Sequence, residues 1–270
     1  MTETGEVGGL ARVPTPPAGH ALLQDKVVVV TAAAGTGIGS AAARRCLDEG
    51  ARVVVSDRHE RRLEETRAEL AKDHGDDSVV ARVCDVTDDD QVRALVSAAV
   101  ESFGRLDVMV NNAGLGGTRS LVEMSDQEWD TVLDVTLNGT FRCTRAALQQ
   151  MAQQDDGGVI VNNSSVVGWR AQAGQAHYAA AKAGVMALTR CAAIDAAPLG
   201  VRVNAVAPSI AMHEHLAKVT SDDLLAELAG REAFGRAAEP WEVANVIAWL
   251  ASDYATYLTG EVVSVSSQHP

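Results

Sequence analysis

Seven short runs of Val and other apolar residues alternate with longer Ala- and Leu-rich stretches between residues 27 and 265. The runs lie at 27–31, 52–56, 79–84, 108–110, 159–162, 201–205 and 261–265. They lack regular polar alternation, as strands covered on both faces do. The stretches between them, at about 37–49, 58–72, 89–103, 126–153, 176–196, 222–229 and 240–252, have helix length. Parallel strands need crossovers and helices are the usual ones, so this rhythm predicts one doubly wound α/β sheet. It has about seven strands, mostly parallel, with helices on both faces, and takes up residues 25–270 as a single domain. Residues 1–24, with Gly8-Gly9 and Pro14-Thr15-Pro16-Pro17, lack any periodicity able to bury a face and read as a flexible N-terminal extension.

The 270 residues carry 36 Asp and Glu against 23 Lys and Arg, a formal charge of −13. That balance weighs against a nucleic-acid surface or an anionic-membrane partner. No run approaches the ~20 apolar residues of a membrane span, and the N-terminus lacks the apolar core of a secretory signal. Cys46, Cys84, Cys143 and Cys191 form no C-x-x-C pair and no metal-ligand spacing with a His. No metal site is therefore expected, and the chain is expected in a reducing cytoplasm. Only four basic residues are lysines, Lys26, Lys72, Lys182 and Lys218, so a lysine inside a motif is informative.

The first run leads into Ala32-Ala33-Ala34-Gly35-Thr36-Gly37-Ile38-Gly39 and then a helix. Glycines at such a turn let the backbone approach a pyrophosphate, and the helix N-terminus offers unpaired N–H groups and the positive end of its dipole. The plainer reading is a tight turn that needs positive φ. Asp57 ends the second run, eighteen residues after Gly39, where a carboxylate accepts from an adenosine ribose and repels a 2′-phosphate. This favours NAD over NADP, although Arg58 directly behind it is able to pair with a 2′-phosphate. Asp85 and Val86 end the third run; Asp85 is placed to meet an adenine amino group, while Thr87 or Asp88 fits the helix cap better.

Tyr178 and Lys182 stand four residues apart and share one helix face. A phenol near pKa ~10 is a poor proton shuttle at neutral pH, and an ammonium about 4–6 Å away lowers that pKa. Ser165, at the end of the fifth run, is placed to donate to the same substrate oxygen; as a plain strand terminus it needs no such role.

In order, the glycine turn, Asp57, Asp85-Val86, Asn111-Asn112-Ala113-Gly114, Ser165, Tyr178 with Lys182, and Asn204-x-x-x-Pro208 resemble the short-chain dehydrogenase/reductase family from about residue 26 to 265. The resemblance implies a Rossmann-type core, a nicotinamide cofactor, hydride transfer at a CH–OH group and a homotetramer. It implies Tyr178 as acid/base, Lys182 as ribose binder and pKa modulator, and Ser165 as orienter of the substrate oxygen. It lays Thr36, Gly37, Ile38, Asn112, Ala113, Gly114, Pro208 and Ala211 along the cofactor and makes 209–238 a lid over the substrate. The family's water-holding catalytic Asn falls at Thr136, whose hydroxyl is expected to hold the water instead; Asn138 lies two residues on. The family's Thr after the Pro is His213, a candidate amide or substrate contact.

Within the family, residues 30–39, 168–172, 234–242 and the ending Gln268-His269-Pro270 are similar to actinobacterial enzymes of steroid-ring degradation. These act on an alicyclic indanone carboxyl-CoA thioester derived from cholesterol. A CoA ester needs a basic rim, for which Arg119 and Arg170 are candidates, with Trp169 packing an alicyclic ring. The competing readings are an NADPH-dependent 3-oxoacyl-thioester reductase and a non-catalytic dinucleotide sensor.

Overall fold

The computed structural model describes residues 13–212 and 222–267. Its strands are β1 (Val27–Val30), β2 (Arg52–Asp57), β3 (Val79–Val83), β4 (Val108–Asn111), β5 (Gly158–Asn163), β6 (Val201–Pro208) and β7 (Val262–Val265). They form one sheet in the order β3-β2-β1-β4-β5-β6-β7, every neighbouring pair parallel. The chain winds outward from β1 to β3, then returns to the other side of β1. The carboxyl ends of β1 and β4 thus diverge and leave a crevice.

The helices are α1 (Ile38–Asp48), α2 (Glu60–His74), α3 (Asp89–Phe103), α4 (Asp126–Leu133), α5 (Gly139–Met151), α6 (Ala176–Ala196), α7 (Asp222–Arg231) and α8 (Pro240–Ala251). Successive strand side chains point to opposite faces, and both faces are covered. Val28 and Val30 pack with Ala42, Ala43 and Cys46 of α1 and Val243, Ile247 and Leu250 of α8. Val27 and Val29 pack with Val92, Leu95 and Val96 of α3 and Ala147 and Met151 of α5. All four β1 valines are fully buried. Burial on this scale is worth roughly 1.5–3 kcal/mol per side chain, which is why a run of valines without alternation makes the central strand.

Two elements differ from the sequence reading. The expected single helix over 126–153 is two α-helices joined by a π-helical turn, Asp134–Asn138. Within this turn Thr136 is fully buried while Asn138 stays exposed and bonds Asp134. The N-terminal segment, expected to be flexible to residue 24, is tied down before that point. Glu49, fully buried at the end of α1, pairs with Arg45 and accepts from the amides of His20 and Leu22. Arg45 donates to Pro17 O, and Leu23 is fully buried in the core. A buried carboxylate requires such partners, and the extension supplies them.

Candidate active site

The glycine turn is built of backbone. Ala33 N donates to Ser56 O and Gly35 N to Thr66 Oγ1, fixing the turn between β1 and β2. Gly35 has φ +88° and Ala32 φ +49°, so the chain doubles back before α1. A Cβ on Gly39 would lie 2.2 Å from Ala32 O and 2.5 Å from Asn112 Nδ2; only glycine fits there. The N-cap of α1 is Gly37, with no side-chain cap, so its first amides are available to a phosphate. Thr36 is exposed and Gly37 and Ile38 half-buried beside it.

Asp57 closes β2 and accepts from His59 N through one oxygen. Asp85 accepts from both the amide and the hydroxyl of Thr87, whereas Asp88 caps α3. Val86 is buried, within reach of any side chain added at Gly139.

Across the crevice the site is made of side chains. Asn112 Nδ2 donates to Thr31 O and Ala32 O, and the amides of Asn112 and Ala113 both donate to Thr31 Oγ1. β5 delivers Asn163, Ser164 and Ser165 at its carboxyl end, and Ser164 Oγ donates to Lys182 O, docking α6 there. Ser165 Oγ accepts from Val167 N and lies near enough to the Tyr178 phenol to favour its ionised form, and the buried Lys182 donates from Nζ to Asn163 O at 2.6 Å. Lys182 Nζ lies 5.5 Å from the centre of the Tyr178 ring. The loop after β4 lies over this pair: a Cβ on Gly114 would come 3.3 Å from Lys182 Nζ, and one on Gly116 would touch the Tyr178 ring.

The electrostatics depart from expectation. Burial pushes the Tyr178 phenol up to about 12, partly offset by Ser165, and pushes the Lys182 ammonium down to about 8. Desolvation dominates both groups, so Tyr178 is held in its protonated form at neutral pH. Thr136 also departs. Its hydroxyl donates to Leu115 O and accepts from Leu115 N, so the group expected to hold a water is spent on the loop main chain. Pro208 ends β6 and Ala211 is buried, bridged to Ala238. His213 lies outside the described residues.

Trp169 is exposed after the short 3-10 turn Val166–Gly168. Arg119 is half-exposed and paired with Glu128. Glu128 is held down at about 2, chiefly by the Ser125 amide and hydroxyl that box the start of α4, with Arg119 adding to them. Arg119 thus already has an anion. Asn163 and Leu115 are the site residues that the sequence reading passed over. The doubled Asn at a strand end was a signal for the first; nothing in the sequence marks the second.

Residues 32–267 match the family model described as enoyl-(acyl carrier protein) reductase. The chain belongs to the short-chain dehydrogenase/reductase family. It is 65% identical over 97% of its length, and 99% of the relative's, to the (5R,7aS)-5-hydroxy-7a-methyl-1-oxo-2,3,5,6,7,7a-hexahydro-1H-indene-carboxyl-CoA reductase of Mycobacterium tuberculosis. It is 39% identical to the 3-oxoacyl-[acyl-carrier-protein] reductase FabG of Staphylococcus aureus over 89% of this chain and 96% of that one. A solved short-chain dehydrogenase from Mycobacterium smegmatis matches with a TM-score of 0.87 and 60% identity, covering 97% of this chain and all of that one. As a member of this family the chain is an oxidoreductase that works with a nicotinamide nucleotide, NAD or NADP, on a hydroxyl or ketone. The uncapped amides of α1 fit such a nucleotide.

Proposed function

We propose that the enzyme transfers hydride between NAD(H) and a secondary alcohol or ketone on an alicyclic, steroid-derived indanone carboxyl-CoA thioester. The observation that carries this reading is the meeting of Ser165, Tyr178 and Lys182 at the carboxyl ends of the strands, beside the glycine turn. The substrate class rests on the 65% identity to a reductase named for such a thioester. Bound at the crevice, the nicotinamide accepts or supplies the hydride. Thr36, Gly37 and Ile38 would hold its phosphates, and Asn112, Ala113, Gly114, Pro208 and Ala211 would line its length. Lys182 would hold the ribose.

Tyr178, kept protonated by burial, donates its proton to a carbonyl oxygen in the reductive direction and takes one back in the other. Ser165 donates to the same oxygen and fixes its place. Residues 209–238 act as the lid, with Trp169, Arg170 and His213 on the substrate side. The enzyme works as a cytoplasmic homotetramer in cholesterol breakdown; the exposed Phe141 of α5 and Ile194 of α6 are apolar surface consistent with subunit contacts.

NAD is the favoured nucleotide because Asp57, at the end of β2, is a charge that a 2′-phosphate would meet. The alternative, an NADPH-dependent 3-oxoacyl-thioester reductase, draws on the FabG likeness and on the exposed Arg58. Turnover with NADH and NADPH, each against the indanone carboxyl-CoA and a 3-oxoacyl thioester, separates the two. A preference for NADPH with the straight-chain thioester would overturn the first reading.

A further inference from the structure

A continuous polar path joins the glycine turn to Lys182, and Asn163 stands at its middle. Asn163 O receives the Lys182 ammonium at 2.6 Å. Asn163 Nδ2 donates at 2.9 Å to Asn112 Oδ1, and Asn112 Nδ2 in turn holds Thr31 O and Ala32 O, where the turn opens. Thr136 offers no comparable link, since its hydroxyl is committed to Leu115 and its carbonyl accepts from Thr140 Oγ1.

A second observation is independent of the path. Asn163 Oδ1 is buried and has no partner among the described residues. By strand alternation Asn163 shares its face with Val159 and Val161, which lie in the apolar cluster against α1 and α8. A valine there would remove the orphaned Oδ1 but would also take the donor from Asn112 Oδ1, so the polarity of Asn163 serves its link to Asn112 rather than the packing of its own site.

We propose that Asn163 is a positioning residue for hydride transfer. It holds the Lys182 ammonium and the glycine turn in one register, so that the phosphate end and the ribose end of the nucleotide site are set together. This rests on the oxidoreductase reading above but asks a separate question of the chain.

The test is Asn163→Val in the full-length enzyme, read by thermal midpoint, by NADH affinity in the absence of substrate, and by turnover. We expect NADH dissociation weakened about threefold or more and kcat lowered about tenfold with substrate KM within about twofold, whatever the midpoint. In an Asn112→Ser background, where the path is already cut, adding Asn163→Val changes NADH affinity by less than about twofold. Native-like affinity and kcat in Asn163→Val overturn the proposal. So does a lowered midpoint whose effects multiply independently in the Asn112→Ser background, which makes Asn163 a plain packing residue. If the valine variant does not fold, Asn163→Thr is put through the same comparison. If the native enzyme turns over no alcohol or ketone with NAD(H), the functional reading fails, while the NADH titrations and midpoints still decide the coupling.

Discussion

The two sides of the crevice are built by opposite means. The β1–α1 side is made of main chain: Gly35 with φ +88°, Gly37 as an uncapped helix start, and Gly39 with no room for a methyl group. The β4–β5–α6 side is made of polar side chains: Asn163 Nδ2 on Asn112 Oδ1, the Lys182 ammonium on the main-chain carbonyl of Asn163, and the Tyr178 phenol beside Ser165. A main-chain site loses function when an atom is added, and a side-chain site loses it when an atom is removed. The first needs little charge of its own, since helix amides supply it. The second concentrates polar groups away from water, which is why Lys182 and Tyr178 have strongly displaced proton affinities.

The largest expected effect is on the side-chain region. Tyr178→Phe removes the proton donor and nothing else, so turnover falls about a thousandfold while NADH binding in a titration stays near native. Weakened nucleotide binding with turnover preserved would move the acid/base to another group. Next comes the opposite experiment on the main-chain region. Gly39→Ala forces a methyl group against Ala32 O and Asn112 Nδ2, so we expect a loss of about 1–3 kcal/mol in urea unfolding and NADH affinity weakened more than about tenfold. Full retention of both would mean that the turn relaxes, and the contrast between the regions would weaken.

Lys182→Met tests the cost of the side-chain site. The native lysine is held near 8 when folded, against about 10.4 when unfolded, so the unfolded chain binds the extra proton between those values. The native protein therefore gains stability as pH rises from about 8 toward 10, and below 8 it carries the full burden of a buried charge. The variant should be inactive and, at pH 7, more stable by up to about 3 kcal/mol, with the advantage shrinking above pH 8. Urea midpoints at pH 7 and pH 10 check the sign. Tyr178 acts the other way above its ordinary pKa, since the folded state keeps a proton that the unfolded state has lost.

The smallest effect is expected at the rim. Arg119 already pairs with Glu128, so its charge is shared before any CoA phosphate arrives. Arg119→Ala should raise KM for the CoA thioester only about two- to fivefold and leave KM for a small cyclic ketone unchanged. Equal effects on both substrates would remove Arg119 from the phosphate rim.

Much of this molecule was legible before any coordinates. Valine runs without alternation fixed a sheet buried on both faces, because each strand has to be covered twice. The glycine turn between β1 and α1, Asp57 at the end of β2 and the Tyr178–Lys182 pair on α6 were also placed by local spacing, because a strand-to-helix turn and a helix face of period 3.6 bring those groups to known positions.

Other features depended on contacts between segments distant in sequence, which local spacing does not encode. The break of one long helix into two around a π turn follows from how Thr136 reaches Leu115, twenty-one residues away. The tying down of residues 17–24 follows from the need of the buried Glu49 for donors. The proton affinities of Tyr178 and Lys182 were set by desolvation, a property of the packed surroundings rather than of the pair. The sequence by itself determined the seven-stranded sheet and the elements on which the candidate site residues ride. Only the tertiary structure decided how dry they are and which partners hold them, because burial and hydrogen bonding are properties of the assembled fold.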